Sequence, residues 1–235
     1  MSYDGEVRSG GPSAARVLDD VEIRKASVGS MDNNAYLLTC RHDGAQLLID
    51  AADDADRLLE LVREGSSTAR LDVVLTTHRH PDHLRALRSV VALTGATVAA
   101  GADDADAIAD AADVSIGTRV HHGDAVIVGH LALEVVALRG HTPGSVALVY
   151  REPAVVHEVD AVPGRAHVFT GDSLFPGGVG ATRGDRAAFD QLYADVTERI
   201  FDRFGDDTWI YPGHGRDTIL GVERPALGEW RARGW

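Results

Sequence analysis

One short segment of the chain, Thr77-His78-Arg79-His80-Pro81-Asp82-His83, places three imidazoles and one carboxylate within six consecutive positions. The largely apolar run at 71–76 that precedes it is typical of a buried strand, and apolar residues at 84–91 follow at helical spacing. The segment is therefore predicted to be a loop that leaves a strand and enters a helix. Loops held at strand ends by a rigid sheet are where a preorganised site is expected.

Imidazole and carboxylate side chains in this density predict a metal site, because they are ligands that suit zinc, iron or manganese. Alternate residues of an extended segment point to the same side, so His78 and His80 can bind one ion while Asp82 and His83 face a second. A structural alternative is a solvated loop in which Asp82 caps the following helix. That alternative explains one residue and leaves three histidines without a role.

The rest of the chain alternates short apolar runs with helical patterns. Further strands are predicted at 21–26, 35–39, 46–50, 96–100, 146–150, 167–170 and 209–211, with a hairpin at 125–138. Helices are predicted near 53–62, 84–91, 103–112 and 186–204. These elements predict a layered α/β fold of two sheets with helices outside.

Composition limits the organisation and the partners of the protein. Residues 1–20 lack a hydrophobic period and are expected to form a flexible N-terminal segment, whereas 21–235 is expected to be a single domain. The formal net charge of -13 argues against nucleic acid and anionic membranes as partners and leaves a small-molecule substrate. The N-terminus has no targeting pattern or membrane-spanning run, so a cytoplasmic location is expected. Nothing in the sequence predicts an oligomeric state.

The single cysteine and six of the histidines are predicted to have no part in the chemistry. Cys40, the only cysteine, ends an apolar run and is predicted to be buried as a small hydrophobic residue. Of the eight histidines outside the segment 77–83, six are predicted to be ordinary surface or turn residues: His42, His121, His122, His130, His157 and His167.

Three later segments also bring His or Asp together with glycine, namely Gly140-His141-Thr142-Pro143-Gly144-Ser145, Thr170-Gly171-Asp172-Ser173-Leu174-Phe175 and Tyr211-Pro212-Gly213-His214-Gly215. In this order, and after the H-x-H-x-D-H segment, they resemble the motifs of the metallo-β-lactamase superfamily. The resemblance covers nearly all of the chain from about residue 21 onward. It implies a four-layer αββα sandwich, with two mixed β-sheets and helices on the outer faces.

The resemblance also implies how the ligands divide between two divalent metal ions. His78, His80 and His141 would hold the first ion, Asp82, His83 and His214 the second, and Asp172 would bridge them. Asp82 and Asp172, which supply the compensating negative charges, are the predicted catalytic residues. Zinc is the expected metal, with iron or manganese as alternatives. Two ions that share a water lower its pKa toward neutrality, so no serine or cysteine nucleophile is required.

Within the superfamily the motifs look most like the glyoxalase II group, the hydroxyacylglutathione thioesterases, in its short bacterial form. The implied reaction is hydrolysis of a thioester by a metal-bridging hydroxide. The chain departs from the group's pattern at Gly180-Ala181-Thr182-Arg183, where Gly-Arg-Thr-Asp is typical, and this stretch lies where substrate could pass. Two alternatives stay open: a mononuclear iron persulfide dioxygenase, and a hydrolase that opens a lactone or β-lactam ring.

Overall fold

The computed structural model describes residues 3–66, 68 and 70–234, which form two large sheets and six α-helices among the described residues. The first sheet has seven strands in chain order: β1 Ala14–Val17, β2 Val21–Val28, β3 Asn33–Cys40, β4 Gln46–Ile49, β5 Leu71–Thr76, β6 Thr97–Gly101 and β7 Ile116–Val120. Strands β1 to β4 are antiparallel, and β4 to β7 are parallel. The sheet is therefore mixed.

The second sheet has six strands in the order β15-β14-β11-β10-β9-β8. They are β8 Ala125–Val128, β9 Leu131–Ala137, β10 Val146–Arg151, β11 Ala166–Gly171, β14 Trp209–Pro212 and β15 Thr218–Ile219. The pair β11 and β14 is parallel and its other pairs are antiparallel. A small hairpin, β12 Leu174–Phe175 and β13 Gly178–Val179, stands apart from both sheets.

Three apolar clusters show how the layers stack. The first lies between the sheets and includes Leu38 from the first and Leu148 from the second. The other two clusters pack the outer face of each sheet against helices: α1 Ala55–Gly65, α2 Leu87–Thr94 and α3 Ala105–Ala112 on the first, and α4 Arg186–Val196 and α6 Leu227–Arg233 on the second. The predicted helix–sheet–sheet–helix sandwich is confirmed.

Most predicted elements lie within a few residues of the observed ones, but the prediction of a flexible segment at 1–20 is wrong where β1 forms. Residues 1 and 2 lie outside the described part of the chain. In β1, Arg16 is only 3% exposed while Val17 is 36% exposed, so the strand buries a charged side chain and exposes an apolar one. A strand of this kind carries no hydrophobic alternation that sequence reasoning could detect.

Other elements also differ from prediction. The strand β7 was not predicted, because three of its five side chains are exposed. The predicted helix at 186–204 is α-helical only to Val196 and continues as a π-turn at Thr197–Phe201. The short helices α5 Leu220–Glu223 and α6 near the C-terminus were missed. Within the described ranges, no helix has the length and apolar character needed to cross a membrane. That 21–235 forms one domain stays a prediction.

Candidate metal centre

The seven predicted ligands lie in four loops that meet at one edge of the sandwich. Four residues follow β5 of the first sheet, and three lie in loops after β9, β11 and β14 of the second. Their ligand atoms form three groups, in each of which the atoms lie within 4.8 Å of one another: His78, His80 and His141; Asp82, His83 and His214; and, between these two, His78, His83 and Asp172. We call the first two of these the first group and the second group. The fold thus brings together every residue predicted for the site.

Asp172 lies between the two groups. Its Oδ1 is 3.4 Å from His83 Nε2, and its Oδ2 is 3.4 Å from His214 Nε2 and 3.7 Å from His141 Nε2. Although burial raises the pKa of the Asp172 carboxyl, the neighbouring imidazoles of His214 and His83 outweigh it and hold the pKa well below its usual range. An anionic carboxylate therefore faces both groups of imidazoles.

The residues present fit divalent metal ions. The Nε2 atoms of His78 and His141 and the Oδ1 atom of Asp172 are buried without a hydrogen-bond partner among the described residues. Unpaired buried polar atoms are rare and need an explanation, which a bound cation would supply. Burial also lowers the pKa of His78 and of His141. Both are therefore neutral imidazoles, which is the form that binds a metal.

His83 is oriented by Asp50, a residue that sequence reasoning missed. The His83 Nδ1 atom lies 2.9 Å from Asp50 Oδ2, and the same carboxylate accepts hydrogen bonds from the backbone N–H and the hydroxyl of Thr77. Burial of His83 disfavours the imidazolium, but the Asp50 carboxylate outweighs this and raises the pKa of His83 to about 10. A carboxylate behind an imidazole fixes the ring and directs its other nitrogen toward a metal. Asp50 follows β4, the parallel neighbour of β5, and that adjacency was the available signal.

Other acceptors and donors orient the remaining ligands. His141 Nδ1 lies 2.8 Å from the carbonyl of Ala181, and His214 Nδ1 lies 2.9 Å from the carbonyl of Met31. These contacts through Nδ1 direct the Nε2 atom of each ring toward the centre, where a metal-bound imidazole presents its lone pair. The amide of Asn33, itself buried, donates to Asp82 Oδ2 at 2.9 Å. Sequence reasoning missed Asn33 as well.

The six histidines outside the ligand set are predicted to be ordinary surface or turn residues, and for His167 this prediction is wrong. Five of the six are exposed, but His167 is fully buried in β11. Its Nε2 lies 2.8 Å from Glu152 Oε1 and its Nδ1 lies 2.9 Å from the hydroxyl of Tyr211, which accepts from Arg16 at 2.8 Å. His167 therefore belongs to a polar network inside the sandwich. Cys40 is buried, as predicted.

The chain belongs to the metallo-β-lactamase superfamily, whose family model matches residues 28–214. It is similar to a protein named hydroxyacylglutathione hydrolase from Fuscovulum blasticum, with 34% identity over 149 residues, 63% of this chain and 51% of the relative. It is also similar to the human protein named persulfide dioxygenase ETHE1, mitochondrial, with 32% identity over 183 residues, 76% of this chain and 62% of the relative.

Among solved structures, the chain is similar to ETHE1 from Myxococcus xanthus, with a TM-score of 0.71 and 28% identity over 89% of this chain and 84% of that one. Together these similarities confirm the predicted resemblance to the glyoxalase II-like group of the superfamily. The chain spans only 51% and 62% of the lengths of the two relatives named above. Their activities come to this protein only as a proposal.

Proposed function

We propose that this protein is a dinuclear metallohydrolase that cleaves a small thioester of the S-hydroxyacylglutathione type. The observation that carries the proposal is that six candidate ligands form two groups, and that Asp172 lies 3.7 Å from His141 in the first group and 3.4 Å from His214 in the second. Divalent ions, with zinc as the expected metal and iron or manganese as alternatives, would supply Lewis acidity and a water of lowered pKa. The similarity to a protein named hydroxyacylglutathione hydrolase supports the thioester as substrate.

The chain's own residues set the charge and the order of this centre. His78, His80 and His141 would hold one ion as neutral imidazoles, since burial lowers the pKa of each. The second group adds the charge of Asp82, whose pKa is lowered by the Asn33 amide against the effect of burial. Asp82 and Asp172 thus offset two positive charges of the four that two divalent ions carry.

A thioester also suits the groups that surround the centre. The departing thiolate has a conjugate acid with a pKa of about 8.5, so it leaves without a strong general acid. Among the described His, Cys, Asp and Glu side chains, those grouped at the centre are all predicted ligands, so none of them is left over to act as a dedicated acid. An alkoxide or amine leaving group would need such an acid more.

The proposal is tested by metal content and by thiol release. Protein loaded with zinc should contain two ions per chain and should release thiol from a hydroxyacyl-glutathione thioester without consuming oxygen. His80→Ala should abolish thiol release, whereas His122→Ala, an exposed histidine away from the cluster, serves as the matched control. Full activity of His80→Ala would refute the assignment. Lactone and β-lactam hydrolysis releases no thiol, so it is followed by the carboxylic acid that ring opening forms, and the comparison decides between these substrate classes.

A second candidate function is persulfide oxidation with one iron ion, which the human and Myxococcus xanthus similarities favour. A protein that fills only the first group and consumes oxygen with glutathione persulfide would replace the hydrolase proposal.

A further inference from the structure

Asp104 is a buried carboxylate that is not one of the candidate metal ligands. It stands directly before α3, at the position that usually caps a helix, but its side chain makes no hydrogen bond to that helix. The residue is fully buried. A buried carboxylate is costly unless donors surround it, so the direction in which it points is informative.

The hydrogen-bond donors to Asp104 come from two of the four loops that carry the predicted ligands. Its Oδ2 accepts from the backbone N–H of Arg79 at 3.1 Å and from the hydroxyl of Thr142. Its Oδ1 accepts from the backbone N–H of Gly144 at 3.1 Å. Arg79 stands between His78 and His80, and Thr142 follows His141, so one carboxylate joins the three histidines of the first group.

The packing around Asp104 leaves the His141 loop little freedom. A Cβ atom on Gly144 would lie 2.3 Å from the backbone nitrogen of Asp104, so only glycine allows this approach. The loop is closed on itself as well, because Ser145 Oγ accepts from the Thr142 N–H at 3.1 Å and lies 2.7 Å from the Thr142 hydroxyl. Asp104 therefore holds a loop that is already rigid.

The second group has different supports. Asp50 orients His83, Asn33 orients Asp82, and the Met31 carbonyl orients His214. Among the described residues, the hydrogen bonds of Asp104 go to Arg79, Thr142 and Gly144 and not to these residues. The influence of Asp104 is thus directed at one group only.

We propose that Asp104 is a positioning residue that fixes His141 relative to His78 and His80 and thereby sets the metal affinity of the first group. The inference rests on the proposed metal binding. Asp104 lies 38 positions from Thr142 in sequence, and its role would be to connect a loop of the first sheet with a loop of the second. Residues behind metal ligands typically change metal affinity 10–100-fold when replaced.

The test compares Asp104→Asn with Asp103→Asn, which alters the exposed neighbouring carboxylate. Asparagine keeps the size of the side chain but turns one acceptor into a donor that faces the N–H groups of the loops. Zinc affinities are measured by competition with a chromophoric chelator, and the coordination of the first group is followed by the visible spectrum of the cobalt-substituted protein. The free energy of unfolding of the metal-free proteins is measured in urea.

We expect Asp104→Asn to weaken one of two zinc ions about 10–100-fold and to shift the cobalt spectrum, while the other ion binds within about twofold of wild type. Asp103→Asn should behave as wild type in each measurement. Thr142→Val, which removes one bond to Asp104, should weaken the same ion by a smaller factor, and Thr142→Ser should restore it. This pair keeps the test decisive if Asp104→Asn does not fold.

Three results would overturn the inference: unchanged affinities, an equal loss for both ions, or a weaker second ion with an intact first. If the wild-type protein binds metal and cleaves a thioester but Asp104→Asn matches it, only the role of Asp104 is wrong. If the wild-type protein binds no divalent ion, the proposed function falls as well. The two failures are therefore distinguishable.

Discussion

The buried His167 predicts a specific loss of stability in acid. Burial disfavours the imidazolium and lowers the pKa of His167 from 6.5 to about 4, although the Glu152 carboxylate opposes this effect. Between these two pH values the unfolded chain binds a proton at this histidine and the folded protein does not. The contribution is fully present above pH 6.5 and is lost as the pH falls toward 4. At 1.36 kcal/mol per pKa unit, the loss is about 3 kcal/mol.

The perturbation that isolates this effect is His167→Gln. Glutamine does not titrate, yet its amide can donate to Glu152 and its carbonyl can accept from the Tyr211 hydroxyl, as the neutral histidine does. The free energy of unfolding is measured by urea denaturation from pH 7 to pH 4 on metal-free protein, with chelator present. Wild type minus variant should fall by about 3 kcal/mol across this range.

The subtraction removes the other titrating groups, because they are common to both proteins, except for Glu152, whose pKa is lowered partly by His167 itself. A difference that stays constant with pH, or that rises as the pH falls, would refute the description of His167 as a buried neutral histidine. Such a result would mean that the folded protein accepts the proton at His167 and that the Glu152 carboxylate outweighs burial.

Three further predictions concern the centre and the core. Asp172→Ala should lower thioester turnover more than about 100-fold, since replacing even a residue behind a metal ligand lowers metal affinity or activity about 10–100-fold. The melting temperature of the metal-free variant should stay near wild type. Wild-type turnover with two bound ions would contradict the bridging role. Asp50→Asn should weaken the ion of the second group about 10–100-fold in chelator competition. The ion of the first group should lose less, because in the described part of the chain Asp50 reaches His78 only through the Thr77 hydroxyl, and equal losses would count against this difference. Leu148→Ala, in the cluster between the sheets, should cost about 2–5 kcal/mol of unfolding free energy in urea while metal content is unchanged.

The residues that the fold brings together at the candidate centre could be predicted because each of their motifs is local. In the segment 77–83 the clustered imidazoles stand out against any ordinary loop, and the loops around His141, Asp172 and His214 place the ligand beside glycine at the end of an apolar strand. The order of these motifs then implied the sandwich, and the structure confirmed it.

The residues that hold the ligands could not be found in the same way. Asp50 contacts Thr77 over 27 positions, Asn33 contacts Asp82 over 49, and Asp104 contacts Thr142 over 38. Each is an isolated polar residue whose meaning depends on a partner that only the fold brings near. His167 and the strand β1 escaped for the same reason, because Arg16 and His167 are buried through partners far along the chain.

The centre takes four of its ligands from the first sheet and three from the second, so neither sheet contains a complete group. During folding, a complete site can therefore exist only after the two halves of the sandwich have docked. Metal ions held by these residues would bind the docked state selectively and would join the two sheets, with a gain of RT ln(1 + [M]/Kd) in stability. The metal supply of the cell would then be one of the variables that decide how much of this chain is folded.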